Sequence, residues 1–503
     1  MFLASKNHSD IVLPLLILSG FIIFVTPIIC PTPVFWMDEA WDTAVAWSWI
    51  NLGKFGNPTY PLDGLDEVFF LHPPLPIILE SALIKLFGIT PWVVKFWPIT
   101  MGILGLFVFY LLAKELFNNE KIALFGTIYL AFIPLYLIMT LQFRPEIFVL
   151  FFTILTVYFI VLAEKRQNLA LYFLAGISSA LSFLSHFYGG FLILAVGLYL
   201  IIEWFKQKNP NILKFLLFFI LGVTIIVVPY FIWILKHWEI FKIQYSGNLS
   251  NLGGLQSLLN NILQEKHRYL NSPLGSLLIL FTIGGLIIFR KKFLKKPFLL
   301  CLIYFIVFLL GLALFMPNKT IIYLTPILFI TAIVASFLIS GDVDIKNKFI
   351  LFLTKVAGVG SLIVFVGYII LCSPFKGGHI NYYQLLHFNQ ILEENYNSGI
   401  IVGDPTYFLF IPEEVKLRFI SEHVLFRWIE ENKSTEIAAL FKEKDISILV
   451  YSDFWWQDWC KSNKEEVCLT LNSILNHYGK IVGEIKRENQ SIDYVYKINI
   501  SNL

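Results

Sequence analysis

Long apolar runs constrain the fold of this chain more than any other feature of its 503 residues. Runs of about 17–25 predominantly apolar residues recur along most of the sequence, and each is long enough to cross about 30 Å of hydrocarbon as an α-helix. Hydrophobic residues make up 57% of the chain and charged residues 15%, against about 25% charged residues in soluble domains. The sequence therefore predicts a multi-pass α-helical membrane protein. Its formal net charge of +3 gives no case for nucleic-acid binding.

The hydropathy pattern predicts eleven membrane-spanning helices. The first is longer than a signal-peptide core and has no small-residue cleavage site, so we expect it to be retained. The predicted spans cover residues 11–30, 92–113, 122–142, 147–163, 169–185, 187–205, 215–235, 273–289, 297–316, 320–339 and 349–372.

The Lys and Arg residues of the short loops predict the orientation. They collect on one face, and the strongest example is the run Arg290-Lys291-Lys292-Phe293-Leu294-Lys295-Lys296. Because basic loop residues favour the cytoplasmic side, this face and the N-terminus are predicted to be cytoplasmic, in a cytoplasmic (inner) membrane. The loops 31–91 and 236–272 and the tail from residue 373 are then extracytoplasmic.

The chain divides into two predicted domains. Residues 1–372 form the transmembrane domain, including the loop 31–91, and residues 373–503 form a small extracytoplasmic α/β domain. Within the loop, Ala40–Leu52 and Pro74–Phe87 are expected to be interfacial helices, although Pro74–Phe87 could instead dip into the bilayer. Strands are predicted at Ser398–Asp404, Ile446–Asp453 and Ile492–Ile500, with an amphipathic helix at Glu430–Lys442. The spacing of Cys460 and Cys468 permits a disulfide in an oxidising compartment.

Charged residues beside the apolar helices are the candidate functional residues. Asp38 and Glu39 follow the first predicted span, and Arg144 and Glu146 flank the junction of two later spans. A carboxylate can act as a general base toward a hydroxyl, while Arg144 and Lys319 suit an anionic phosphate. These groups are predicted on the same membrane face and indicate sugar transfer from a lipid phosphate.

The order of these motifs resembles one family. It comprises the Asp38-Glu39 pair, His72-Pro73-Pro74-Leu75, Arg144-Pro145-Glu146, and Asn318-Lys319 followed by Tyr323-Leu324-Thr325-Pro326. Over roughly residues 10–372 the chain is similar to the GT-C glycosyltransferases that use polyprenyl-phosphate sugars, in the branch of the protein O-mannosyltransferases and lipid A aminoarabinose transferases.

The resemblance implies a role for each candidate residue. Asp38 would deprotonate the acceptor, Glu39 would shape the site or bind the acceptor, and Glu146 would be the second acidic residue. Arg144 and Lys319 would bind the donor phosphate, which leaves as the sugar is inverted. Substrate contacts are expected from His72, Tyr60 and His186. The partners implied are a polyprenyl-phosphate sugar donor, a lipid, glycan or protein acceptor, and the bilayer. No cofactor is obligatory in this branch; a divalent metal is possible but not indicated.

Structural alternatives remain for each of these residues. Asp38-Glu39 could be a solvated helix terminus, and Arg144 with Glu146 a structural ion pair. Lys319 could be an interfacial lysine, while His72 and His186 could be packing residues. The alternative function is a transporter or flippase of lipid-linked glycans, although the charges gather at one face and not at the span centres.

Overall fold

The computed structural model describes most of the chain. The described residues are 20, 34–250, 255–316, 319–340, 380–432, 437–452, 465–487 and 491–499. The predicted span 349–372, Asn318 and Cys460 lie outside them, as do the side chain of Cys468 and all of the predicted span 11–30 except Gly20.

Most of the described chain between residues 91 and 340 is helical. Short 3-10 turns at Phe187–Gly189 and Ile321–Ile327 precede two of the helices. The α-helices are Pro91–Phe117, Glu120–Ala131, Pro134–Leu141, Pro145–Arg166, Leu169–Ser185, Gly190–Gln207, Asn211–Lys236, Trp238–Ser250, Leu255–Leu270, Pro273–Ile288, Arg290–Phe293, Phe298–Phe315 and Leu328–Ser340.

Six helices of the described chain are long and apolar enough to cross a membrane. The number rises to eight if each of two bent helix pairs forms one span, and the predicted span 169–185 is a shorter apolar helix. These helices make the chain a multi-pass membrane protein, as its composition predicts.

Two regions differ from the simple spans and loops of the sequence prediction. The span predicted at 122–142 is two helices bent by 64°, with the break between Ala131 and Pro134. Proline has no amide hydrogen for the helical ladder, so it favours a helix start at Pro134. The predicted loop 236–272 is largely helical, and its last helix joins Pro273–Ile288 at an angle of 104°.

The membrane helices differ in how much of their surface the protein covers. Pro145–Arg166 is buried along most of its length, whereas Asn211–Lys236 exposes most of its apolar side chains, as lipid-facing helices do. A Cβ atom on Gly176 would lie 2.1 Å from the carbonyl oxygen of Phe219, and one on Gly222 would lie 2.2 Å from that of Phe173. Paired glycines therefore allow Leu169–Ser185 to approach Asn211–Lys236 closely.

The described residues divide into two compact units. The first contains residues 71–76 and the described part of 97–372. The second contains the described parts of 27–70, 77–96 and 373–503. Most of the loop 31–91, which the sequence assigns to the transmembrane domain, is thus grouped with the C-terminal residues.

The second unit contains a five-stranded sheet. Its strands are β3 (Ile400–Gly403), β4 (Phe419–Ser421), β5 (Ile446–Ser452), β6 (Gly479–Lys486) and β7 (Ile492–Ile498). They lie in the order β4-β3-β5-β7-β6. The strands β3, β4 and β5 are parallel to one another, and β7 runs antiparallel to β5 and β6. Predicted strands correspond to β3, β5 and β7, whereas β4 and β6 were not predicted.

Helices cover this sheet, and one of them departs from its predicted bounds. The helix predicted at Glu430–Lys442 corresponds to parts of two helices, Glu422–Asn432 and Ile437–Glu443. The helices of the C-terminal region are Tyr382–Asn395, Glu422–Asn432, Ile437–Glu443 and Glu465–Tyr478, with 3-10 turns at Pro405–Leu409 and Glu413–Arg418.

Long-range contacts between described residues join the loop to this domain. The short strand β1 (Val34–Phe35) pairs with β2 (Ile380–Asn381) in antiparallel register. The amide nitrogen of Ser421 donates to the carbonyl of Thr59 at 2.8 Å, and the indole of Trp47 donates to Glu413 at 2.6 Å. These contacts explain why most of the loop forms one unit with the C-terminal sheet.

Buried charges lie at the end of the sheet where β3 and β6 end and β7 begins. Arg487 donates to both oxygens of Asp493 at 2.9 Å and to Asp404 at 3.1 Å. Burial opposes ionisation of Asp404, but the charge of Arg487 and the hydrogen bonds from Thr406 hold its pKa below the usual value. Glu422 is fully buried, and neither carboxyl oxygen has a hydrogen-bond partner in the described chain. Burial, followed by the charge of Asp404, raises the pKa of Glu422 well above its ordinary value.

Candidate functional site

The predicted functional residues fall into two groups, one in each unit, and each group is described within its own unit. Asp38, Glu39 and Tyr60 lie in the second unit, whereas His72, Arg144, Glu146, His186 and Lys319 lie in the first.

Asp38 and Glu39 occupy the first turn of the helix Met37–Leu52. The positive end of the helix dipole favours carboxylates at this position. Asp38 is half-buried, whereas Glu39 is fully buried. Glu39 Oε2 accepts a hydrogen bond from the amide nitrogen of Trp36 at 2.7 Å, which caps the helix start. The two adjacent carboxylates therefore have different surroundings.

Lys95 holds the second oxygen of Glu39. Its Nζ lies 2.5 Å from Glu39 Oε1, and the side chains of Lys95 and Glu39 are 2% and 0% exposed. The same ammonium lies 4.8 Å from the centre of the Phe35 ring, a cation–π contact. Glu39 is thus fixed by an ion pair and by the backbone.

Glu80 adds a third carboxyl group near this helix. It is fully buried and accepts a hydrogen bond from the hydroxyl of Thr43 at 2.7 Å. Burial raises the pKa of Glu80 well above its ordinary value, and the charges of Asp42 and Glu39 raise it further. The Oε2 atom of Glu80 has no hydrogen-bond partner among the described residues.

Tyr60 lies beside the same helix. Its ring centre is 5.6 Å from that of Trp41, which stands one helical turn after Asp38. Tyr60 also packs against the apolar core of the α/β domain. The indole nitrogen of Trp41 has no hydrogen-bond partner in the described chain. The substrate role of Tyr60 stays a prediction, and Trp41 offers a donor that sequence analysis did not select.

In the first unit, Arg144 and Glu146 bind each other. Arg144 Nε donates to Glu146 Oε2 at 3.1 Å, and Nη2 donates to Oε1 at 3.2 Å. Both side chains are buried at the start of the helix Pro145–Arg166. A bidentate pair of this kind holds the guanidinium plane in one orientation.

His72 and His186 are brought together among aromatic rings. Their ring centres are 6.2 Å apart, and His186 stacks on Tyr188 at 3.9 Å. The ring of Tyr323 lies 5.9 Å from His186. His72, His186, Tyr188 and Tyr323 thus form one cluster of polar rings.

Lys319 belongs to a cationic cluster that also contains Glu265 and Arg268. Lys319 Nζ lies 2.9 Å from Glu265 Oε2, and Arg268 Nε lies 2.6 Å from Glu265 Oε1. Arg268 also donates to the carbonyl of Thr320 at 2.6 Å and lies over the Tyr323 ring at 5.7 Å. Burial, with Arg268 adding to it, lowers the pKa of Lys319 against the raising effect of Glu265. Two cations share one carboxylate, so the cluster carries a net positive charge.

The described residues contain no group of three or more His, Cys, Asp or Glu side chains arranged to hold a metal ion.

Comparisons with known proteins agree with this architecture. Residues 71–233 match the model of a family described as dolichyl-phosphate-mannose-protein mannosyltransferase. No curated protein sequence matches the chain. Among solved structures, ArnT from Cupriavidus metallidurans bound to undecaprenyl phosphate is similar with a TM-score of 0.58 at 12% identity. That likeness covers 97% of this chain and 98% of ArnT. The fold is that of the GT-C glycosyltransferases.

A second GT-C enzyme shows the same likeness. The oligosaccharyltransferase of Archaeoglobus fulgidus in the apo form has a TM-score of 0.58 at 14% identity, over 89% of this chain and 70% of its own. The structure of the same enzyme tethered to an acceptor peptide containing the NVT sequon has a TM-score of 0.55 at 13% identity. That likeness covers 97% of this chain and 74% of the oligosaccharyltransferase. The predicted resemblance and the predicted GT-C fold class are confirmed.

Several residues that contact the predicted site residues were missed by sequence analysis. Lys95 and Glu80 could have been noticed from the sequence, because each is a charged residue within an apolar helix, where such side chains are energetically costly and often functional. Glu265 and Arg268 could have been noticed as an oppositely charged pair at i,i+3 spacing on a helix. Their link to Lys319 could not be foreseen, since it depends on how two separate segments pack.

Proposed function

We propose that this chain is an inverting glycosyltransferase that moves a sugar from a polyprenyl-phosphate donor to an acceptor hydroxyl on a lipid, glycan or protein. The reaction would take place at the extracytoplasmic face of the cytoplasmic membrane, as the loop charges predict. The observation that carries the proposal is the likeness, over nearly the whole chain, to an ArnT structure that holds undecaprenyl phosphate. The matched family description adds a lipid-phosphate sugar donor.

Asp38 is the proposed general base. It is half-buried, whereas Glu39 is fully buried and is held by Lys95 and by the amide of Trp36. Asp38 takes the proton of the acceptor hydroxyl while the acceptor oxygen bonds to the anomeric carbon. The bond from that carbon to the phosphate oxygen breaks, and its electron pair leaves with the phosphate. Direct displacement inverts the anomeric centre.

Glu39 is proposed as a positioning residue. Its two oxygens are held by Lys95 and Trp36, so the first helical turn cannot rotate without breaking a buried ion pair. This fixes the direction in which the neighbouring Asp38 carboxylate leaves the helix. Accurate placement of a base matters because small displacements of reacting groups reduce rates strongly.

Lys319 and Arg268 are the proposed cations for the donor phosphate. Both are held by Glu265, and the cluster keeps a net positive charge for an incoming anion. Negative charge grows on the phosphate as the sugar departs, and preorganised cations stabilise it. Arg144 is proposed to assist in the same unit, with Glu146 setting the plane of its guanidinium.

The proposed substrate contacts are His72 and His186 for the sugar and Tyr60 for the acceptor. The histidine pair lies beside Tyr188 and Tyr323. Such rings supply stacking surfaces and hydrogen-bond partners for sugar hydroxyls.

The test measures sugar transfer by purified protein from a panel of radiolabelled polyprenyl-phosphate sugars, in detergent and in proteoliposomes. The wild type should turn over one donor, and Asp38→Asn should lose at least about a hundredfold in kcat, the usual contribution of a general base. The matched control is Glu67→Gln, at an exposed position of the same loop. Activity of Asp38→Asn within a few-fold of wild type would exclude Asp38 as the base. No transfer of any donor in detergent would favour transport instead.

A further inference from the structure

An open groove lies at one end of the sheet in the α/β domain. Its volume is about 770 Å³, within the range of about 300–1,000 Å³ that is typical of small-molecule sites. The groove is lined by residues 395–398, 447–448, 477–480 and 497–499. It occupies the sheet end where the parallel strands β3 and β5 begin and where β7 ends.

The groove is positively charged. None of its lining residues is an Asp or a Glu, whereas Lys480, Lys497 and His477 all line it. Within the part of the chain that the structure describes, neither lysine forms an ion pair, so their charges have no local counterion there.

The two lysines face each other across neighbouring strands. Lys480 on β6 is the direct antiparallel partner of Lys497 on β7. Side chains at such positions point to the same face with Cβ atoms about 4.5–5.5 Å apart, and like charges placed in this way repel. On its other side Lys497 is the partner of the apolar Ile448. The fold therefore keeps an unfavourable charge pair that an anion would neutralise.

The rest of the lining suits a saccharide. Tyr396 and Tyr478 contribute aromatic rings, and the hydroxyl of Tyr396 is anchored on the carbonyl of Gly399 at 2.8 Å. Asn395 donates to the carbonyl of Ile391 at 2.9 Å, which leaves its side-chain oxygen as an acceptor for a hydroxyl. A lone phosphate would fill little of this volume.

We propose that this groove binds an anionic saccharide, one that carries a carboxylate or a phosphate group. The charged group would lie between Lys480 and Lys497, with the sugar ring along the tyrosines and the amides. The groove lies wholly within the α/β domain and contains none of the residues assigned to sugar transfer. Binding is measured separately from turnover, so either proposal can fail alone.

Calorimetric titration of the full-length protein in detergent tests the proposal with four probes. These are a galacturonate hexamer, mannose 6-phosphate, the neutral maltohexaose and inorganic phosphate. At least one anionic saccharide should bind, about tenfold or more tighter than maltohexaose and inorganic phosphate, and more weakly at high salt. Which of the two binds identifies the anionic group. Equal binding of the neutral sugar, equal binding of inorganic phosphate, or no binding of either acidic sugar overturns the proposal.

The variant Lys480→Gln/Lys497→Gln should lose at least about tenfold in affinity for the bound sugar. Lys486→Gln is the matched control, because Lys486 is exposed on the same strand β6 and does not line the groove. Without ligand, the double variant should melt at the same or a higher temperature, since the repulsion is gone. A lower melting temperature, or binding unchanged by the double substitution, shows that the lysines serve the fold and overturns the proposal.

Discussion

The ion pair between Lys95 and Glu39 gives the sharpest prediction for the second unit, which contains Asp38. Both side chains are buried, and their charged atoms are 2.5 Å apart. With charge centres about 3–4 Å apart and an effective dielectric constant of about 20, their attraction is about 4–6 kcal/mol. The burial of each ion opposes this by several kcal/mol, so the intact pair adds little net stability.

Removal of one partner has a much larger effect than removal of both. Lys95→Met leaves the Glu39 carboxylate buried without its cation, and measured cases of this kind lose about 3–5 kcal/mol. We expect that loss in the free energy of unfolding, measured by chemical unfolding in mixed micelles. The double variant Glu39→Gln/Lys95→Met should recover most of it, because glutamine still accepts the hydrogen bond from Trp36.

The same variants should report on catalysis. If Glu39 positions Asp38, the single variants lower kcat with little change in the KM for the donor, and the double variant recovers part of the loss. Lys85→Met is the matched control, since Lys85 is exposed in the same unit, and its effect should stay within about 0.5 kcal/mol. Single losses below about 1 kcal/mol, or losses that simply add in the double variant, would refute the reasoning.

Three further predictions concern other charged groups. The pKa of Lys319 is lowered, so Lys319 should lose its charge at alkaline pH and the KM for the donor should rise. Lys319→Arg should abolish that rise, because arginine stays charged. A variant with the same pH profile of KM as the wild type would rule out donor-phosphate binding by Lys319. The fold raises the pKa of Glu422 well above its ordinary value, whereas the unfolded chain ionises above about pH 4.3, so its burial destabilises the fold increasingly as pH rises above that value. Glu422→Gln should therefore raise the melting temperature more at pH 8 than at pH 5, unlike Glu414→Gln, and an equal gain at both pH values would contradict this. Arg487→Met leaves two buried carboxylates without their cation and should lower the free energy of unfolding by about 3–5 kcal/mol; a loss below about 1 kcal/mol by chemical unfolding would show that they protonate without penalty.

Local patterns predict much of this fold. Apolar runs long enough to cross a bilayer correspond to helices such as Pro145–Arg166 and Asn211–Lys236, because a membrane helix satisfies its backbone within one segment. The strands β5 and β7 were also recognisable as apolar or alternating runs. The bend between Ala131 and Pro134 was missed, since the hydropathy of both halves is that of one span.

Long-range pairing is what the sequence does not show. Nothing local in Val34–Phe35 indicates a partner at Ile380–Asn381, so the grouping of the first loop with the C-terminal sheet was not predicted. The candidate site shows the same limit. Asp38 and Lys319 were recognisable by residue type and position. The roles proposed for Lys95 and Glu265 depend instead on their ion pairs with residues of other segments.

The pairing of β1 with β2 has a consequence for the order in which the protein is built. The helix that bears Asp38 emerges early in synthesis, yet β1 before it pairs with Ile380–Asn381, its Trp47 donates to Glu413, and its Met37 contacts His423. All three partners are made late, since they lie at residues 380–423 of 503. The helix can reach its final surroundings only after these residues have been synthesised. Premature termination before them would therefore leave the proposed base without its supporting contacts.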